Sequence, residues 1–123
     1  MSKRILVIDD EDGIRELIKI VLQASAGWEV LTAASGGEGL IAAEAEQPDA
    51  VLLDMRMPDL DGQATLGQLQ ANGATRRIPT ILLTAAENPD PQQPLSDLEV
   101  AGVITKPFEA IRLAEQIREI LHW

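Results

Sequence analysis

Five side chains carry most of the chemistry this sequence offers: Asp9, Asp10, Asp54, Thr84 and Lys106. Each closes a short apolar run. Ile5-Leu6-Val7-Ile8 ends on Asp9-Asp10, and Ala50-Val51-Leu52-Leu53 ends on Asp54. Ile78-Pro79-Thr80-Ile81-Leu82-Leu83 ends on Thr84, and Gly102-Val103-Ile104-Thr105 ends on Lys106. Three carboxylates gathered in one place repel one another and call for a cation. Mg²⁺ suits such a site, because it prefers oxygen ligands, keeps several waters and takes one or two carboxylates plus a phosphoryl oxygen. With the metal present, Asp54 could attack phosphorus as a carboxylate nucleophile. Lys106 would then neutralise one phosphoryl oxygen, and the Thr84 hydroxyl would bond another.

Residues so far apart in the chain need a fold that collects them. Four apolar residues are too few for an ordinary helix, and an unbroken apolar run suits a strand buried on both faces of a parallel sheet. In open parallel sheets ligands bind outside the carboxyl ends of the strands, where these residues sit. The segments between the runs read as helices. Asp12 offers a cap, and Ile14, Leu17, Ile18, Val21 and Leu22 form one apolar stripe that ends at Ala26-Gly27. Trp28 to Ala33 reads as a strand nearer the sheet edge.

Ser35 and Glu38 have the spacing of a capping box. The helix they open is expected to turn Leu40, Ile41 and Ala45 inward and to stop before Pro48. A third helix is expected from Gly62 to Asn72, burying Leu66 and Leu69, with Gly73 as terminator. Glu87 to Pro94 holds three prolines and is the most irregular stretch, followed by a short helix from about Pro94 to Ala101. The last helix is expected from about Glu109 to Leu121, with Ile111, Ala114, Ile117 and Leu121 in register. Five strands alternating with five helices predict an α/β fold with a parallel sheet, right-handed crossovers and one domain over residues 1–123.

Composition narrows the function. A formal net charge of −10 argues against direct binding to nucleic acid or to an anionic membrane surface. The absence of cysteine removes disulfides and thiolate metal sites. The N-terminus has too few apolar residues for a signal peptide, and no run is long enough to span a bilayer, so the expected location is cytoplasmic. Taken singly, each key residue has an ordinary explanation. An aspartate after a strand is commonly a turn former, a threonine a strand terminator, and a lysine before proline a solvated loop residue. Gly36-Gly37 lacks the spacing of a phosphate loop, and His122 reads as a solvated tail residue. Joint placement at strand ends is what singles the five out.

The same residues carry a family resemblance. Asp9-Asp10 after a hydrophobic strand, Asp54-Met55-Arg56-Met57-Pro58 with Asp61-Gly62, Thr84-Ala85 and Lys106-Pro107-Phe108 resemble the receiver domain of two-component response regulators, over essentially the whole chain. The resemblance implies a flavodoxin-like (βα)5 fold, strand order 2-1-3-4-5, with helices on both faces. It implies that Asp54 accepts a phosphoryl group from a sensor histidine kinase, a histidine phosphotransfer protein or a small phosphodonor. Asp10, Asp54 and the backbone carbonyl of Arg56 would ligate Mg²⁺, with Asp9 acting mainly through bound water. Thr84 and Lys106 would reorganise around the phosphoryl group, and the Lys106–Pro107 peptide would be cis. The module would signal rather than turn over a substrate, acting on a downstream effector protein in trans as a stand-alone receiver.

Two departures from the family pattern stand out. The position three before the lysine, aromatic in many receivers, is Val103, so the signal would travel through backbone and loop movement. The proline-rich segment after Thr84 replaces a more regular helix. Arg56 and Ala86 occupy positions that influence phosphoryl lifetime in the family; Arg56 is expected to approach the phosphoryl group, and Ala86 offers attacking water no hydrogen bond. The alternatives are a small Mg²⁺-dependent phosphohydrolase working through an aspartyl-phosphate, or a degenerate receiver serving as a scaffold. The phosphohydrolase needs an aspartate two residues after the nucleophile, where this chain has Arg56.

Overall fold

A computed structural model describes residues 3–54, 62–85, 100–106 and 109–123. Strands β1 (Arg4–Ile8), β2 (Glu29–Ala33), β3 (Ala50–Asp54), β4 (Thr80–Ala85) and β5 (Gly102–Lys106) form one parallel sheet in the order β2-β1-β3-β4-β5. Helices α1 (Asp12–Ala26), α2 (Gly36–Glu46), α3 (Gly62–Ala71) and α4 (Leu113–Leu121) cover it. The central strands read as apolar runs because both their faces are buried: every residue of β3 is buried. Alternate side chains divide the core in two. Ile5, Val7, Leu52, Ile81 and Leu83 meet Ile18 and Leu22 of α1 and Leu113 and Ile117 of α4. Leu6, Ile8, Val51, Leu53 and Leu82 meet Ala43 of α2 and Leu66 and Leu69 of α3. Helices therefore lie on both faces, and a flavodoxin-like doubly wound sheet results.

The local signals account for the helix ends with one correction. The Ser35 hydroxyl accepts from the Glu38 backbone N–H at 3.2 Å, and the Glu38 carboxylate accepts from the Ala34 N–H at 2.8 Å, one residue earlier than in an ideal capping box. Gly27 closes α1 in the left-handed region at φ 70°, donating its N–H to the Gln23 carbonyl at 3.1 Å. Asp12 is not the cap of α1. It is the first helical residue, Glu11 stands at the N-cap without a side-chain bond, and the Asp12 carboxylate pairs with Arg15 instead.

Helix α2 turns a different face inward from the one its large residues suggest. Gly36, Gly39 and Ala43 are buried, Leu40 is half-buried, Ala45 is exposed, and Ile41 is 73% exposed. Small residues let this helix lie close to the sheet: a Cβ built on Gly39 would stand 2.3 Å from Ile8 Cδ1. Since Ile8 is fully buried and cannot swing away, Gly39→Ala is expected to destabilise. The clash costs about 1–3 kcal/mol and outweighs a gain in helix propensity of roughly 0.5–1 kcal/mol. Urea denaturation, showing a lower midpoint at an unchanged slope, checks this.

Other boundaries shift modestly. Strand β4 begins at Thr80 rather than Ile78, although the Pro79 carbonyl already accepts from Val51 N–H at 2.9 Å. Helix α3 ends at Ala71, and Asn72 organises the following turn, its side-chain oxygen accepting from Ala74 N–H at 2.9 Å. The last helix is split into a 3₁₀ turn over Ala110–Arg112 and α4 proper. Ile111, expected inward, is 85% exposed, while Leu113, Ala114 and Ile117 hold the buried stripe. The fifth helix expected near 94–101 lies almost wholly outside the described residues, as does the proline-rich segment before it.

At the amino end of β1, away from Asp54, Arg4 fastens several elements. Its guanidinium meets Glu29 at 3.1 Å and Glu46 at 2.8 Å, and its backbone N–H donates to Asp49 at 2.8 Å. The Glu46 hydrogen bond is the first cause holding the Arg4 pKa above its ordinary value.

Candidate functional site

Parallel register carries the chemistry to one rim. Ile8 lies opposite Leu53, so the residues that follow them, Asp9 and Asp54, leave neighbouring strands together. One ligand oxygen from each of Asp9, Asp10 and Asp54 can be chosen so that all three lie within 4.8 Å of one another. Asp9 and Asp54 are buried and Asp10 is exposed. On the other side of β3, Asp54 pairs with Leu83, and Thr84 follows as the next residue of β4. Thr84 is buried and lies in register with Thr105. Lys106 ends β5 opposite Ala85, which brings its backbone to the same rim.

The β1–α1 loop is held by several hydrogen bonds. Asp9 N–H donates to the Ala33 carbonyl at 3.1 Å, extending the β1–β2 ladder past the last strand residue. The Glu11 N–H donates to Asp9 Oδ1 at 2.9 Å. From the first turn of α1, Arg15 reaches back, donating from Nη1 to the Asp9 carbonyl at 2.8 Å and from Nη2 to the Asp12 carboxylate. Arg15 was not among the residues singled out from the sequence. Its position three after Asp12 permits a helix-surface ion pair, but the bond to the Asp9 carbonyl depends on the loop's path.

The donor set fits a hard divalent cation. Carboxylate oxygens within 4.8 Å of each other, two of them on buried residues, form a concentration of negative charge for which Mg²⁺ is an apt counterion. Arg56, whose backbone carbonyl is the further ligand implied by resemblance, lies outside the described residues. So do Ala86, Pro107 and Phe108, and with them the Lys106–Pro107 peptide. Val103, at the position that is aromatic in many receivers, is a 36%-exposed aliphatic side chain. His122 is exposed and closes α4 in the left-handed region at φ 58°.

Comparison with known proteins agrees with this arrangement. A family model described as the response regulator receiver domain matches residues 5–118. The alkaline phosphatase synthesis transcriptional regulatory protein PhoP of Bacillus subtilis is 36% identical over 98% of this chain and 49% of its own length. The chain spans about half the length of the first curated relatives it matches, and a quarter of another. Among solved structures, the chemotaxis response regulator CheY4 of Vibrio cholerae superposes with a TM-score of 0.87 at 28% identity, covering 98% of this chain and 99% of that one. The receiver domain of the sensor histidine kinase PA1611 from Pseudomonas aeruginosa, with a magnesium ion coordinated in its active site cleft, gives 0.86 at 26% identity with full coverage of both chains.

Proposed function

The chain belongs to the response regulator receiver domain family, and from that premise we propose that Asp54 is its phosphoryl acceptor. The observation that carries this is the meeting of Asp9, Asp10 and Asp54 at the carboxyl ends of β1 and β3, with Thr84 and the backbone of Lys106 on the same rim. An Asp54 carboxylate oxygen attacks the phosphorus of a phosphohistidine on a sensor kinase or phosphotransfer protein. The O–P bond forms as the P–N bond breaks, and the electron pair stays on the ring nitrogen, which then takes up a proton. Asp9, Asp10, Asp54 and the backbone carbonyl of Arg56 would hold Mg²⁺, which when bound neutralises charge that builds on the phosphoryl oxygens. Lys106 and Thr84 bind phosphoryl oxygens, the first by charge and the second by a hydrogen bond.

Phosphorylation adds roughly −1.5 to −2 charges and three acceptor oxygens at a largely buried carboxylate. Thr84 and the carboxyl ends of β4 and β5 rearrange around that group, and the altered surface binds an effector protein in trans. Val103 leaves this switch without an aromatic rotor. The unit acts as a signalling module over one domain, residues 1–123. No described helix is long and apolar enough to cross a membrane, which suits a cytoplasmic location. The phosphohydrolase reading is not favoured, since Arg56 replaces the carboxylic acid that would assist water two residues after the nucleophile.

Incubation with acetyl phosphate, followed by intact mass measurement, tests the proposal. A single phosphoryl adduct that requires Mg²⁺ and disappears with EDTA is expected. Rapid consumption of the donor without an adduct would favour hydrolysis, and an intact donor without an adduct would indicate a scaffold or a donor restricted to the kinase.

A further inference from the structure

Within the proposed receiver chemistry, Asp9 and Asp10 must keep their carboxylates aimed at one point while lying in a loop crowded with negative charge. Asp9, Asp10, Glu11 and Asp12 are four consecutive acids, and Asp54 stands beside them. Such a loop relaxes by splaying apart unless something holds its backbone. Arg15 bonds the carbonyl of Asp9, which belongs to the peptide joining Asp9 to Asp10. The same guanidinium engages the Asp12 carboxylate on the far side of the loop. It therefore clasps the loop from both sides, and its side chain is only 17% exposed against 88% for Asp12. The Glu11 N–H bond to Asp9 Oδ1 closes an Asx-type turn around the same Asp9–Asp10 peptide from the side-chain side, and Arg15 holds its carbonyl from the other.

We infer that Arg15 is a positioning residue for the acidic cluster: by clasping the Asp9 carbonyl and the Asp12 carboxylate, it fixes the Asp9–Asp10 peptide and preorganises both carboxylates for the divalent cation. Guanidinium suits the task because its planar fork presents several donors in fixed directions; an ammonium is a point charge on a flexible stem. Residues that orient metal ligands from behind affect metal affinity by about 10–100-fold. The opposite expectation follows from charge alone. A cation this near the cluster repels Mg²⁺, so its removal would tighten binding if Arg15 did nothing but contribute charge.

The sign of one measurement therefore separates positioning from simple electrostatics. The probe is Mn²⁺, titrated into wild type, Arg15→Met and Arg15→Lys and followed by electron paramagnetic resonance, with Mg²⁺ competition. Thermal melts in EDTA report the stability of each metal-free variant. Arg15→Met is expected to weaken Mn²⁺ binding by about tenfold or more. Arg15→Lys, which keeps the charge and loses the fork, is expected to weaken it by a smaller but measurable factor while melting like wild type. Affinity in Arg15→Met equal to or tighter than wild type would overturn the inference. Unchanged affinity in Arg15→Lys would overturn it too, and this arm decides the matter if the methionine variant melts early. A wild-type protein that binds no Mn²⁺ would instead remove the receiver reading on which the inference rests.

Discussion

Asp54→Asn is expected to form no phosphoryl adduct after an acetyl phosphate incubation that labels the wild type. The amide is nearly isosteric with the carboxylate, but it carries no charge and is a far weaker nucleophile. The position is buried at the end of β3, so no solvent-facing neighbour on that strand can take over. The same change removes one negative charge from a cluster whose oxygens lie within 4.8 Å, so Mn²⁺ affinity is expected to fall along with reactivity. Lys106→Ala is expected to retain the acceptor and slow labelling by roughly 10²-fold, the scale seen when one preorganised charge-stabilising group is lost. Intact mass against time distinguishes these two outcomes. An adduct of undiminished yield on Asp54→Asn would place the acceptor on another residue.

The second large effect concerns the opposite end of the sheet. Trp28 is buried and meets Trp123 edge to face, with ring centroids 5.3 Å apart and planes at 87°. The Arg118 guanidinium lies 5.3 Å from the Trp28 ring centroid, and Lys3 Nζ lies 5.0 Å from that of Trp123. These contacts join the α1–β2 connection, the end of α4 and the chain just before β1. Trp28→Ala is expected to cost about 3–5 kcal/mol, since it leaves a large cavity in the α1/α4 layer of the core. For a domain of this size that lowers the melting temperature by about 10–20 °C, read by circular dichroism. Trp28→Phe, which keeps a buried ring, is expected to recover most of the loss. Because this cluster lies at the far end from Asp54, the Mg²⁺ dependence of labelling is expected to survive in Trp28→Ala at temperatures where it stays folded. A changed metal requirement would show that the two ends are coupled.

The position of the strands was legible in the residues because their signal is local. Ile5 to Ile8 and Ala50 to Leu53 are unbroken apolar runs, and strands covered on both faces leave few other places for such runs. Acids immediately after them mark the carboxyl ends, and parallel pairing then carries Asp9 and Asp54 side by side whatever happens between them. The Ser35–Glu38 cap and the Gly27 stop were legible for the same reason, since each bonds within a few residues.

Tertiary structure decided what depends on distant partners. Helix α2 buries Gly39 and Ala43 and exposes Ile41, because close approach to Ile8 rewards small residues over large ones. Apolar content alone pointed to the opposite face. Asp12 gave up capping for Arg15, and Arg15 acquired the Asp9 carbonyl only once the loop had turned back over α1. The pairing of Trp28 with Trp123 joins residues almost a hundred positions apart, which periodicity cannot register. Hydrophobic spacing reports how a segment contrasts with its own neighbours. Which face it buries, and what a charged side chain finally bonds, is set by surfaces that chain folding brings from elsewhere.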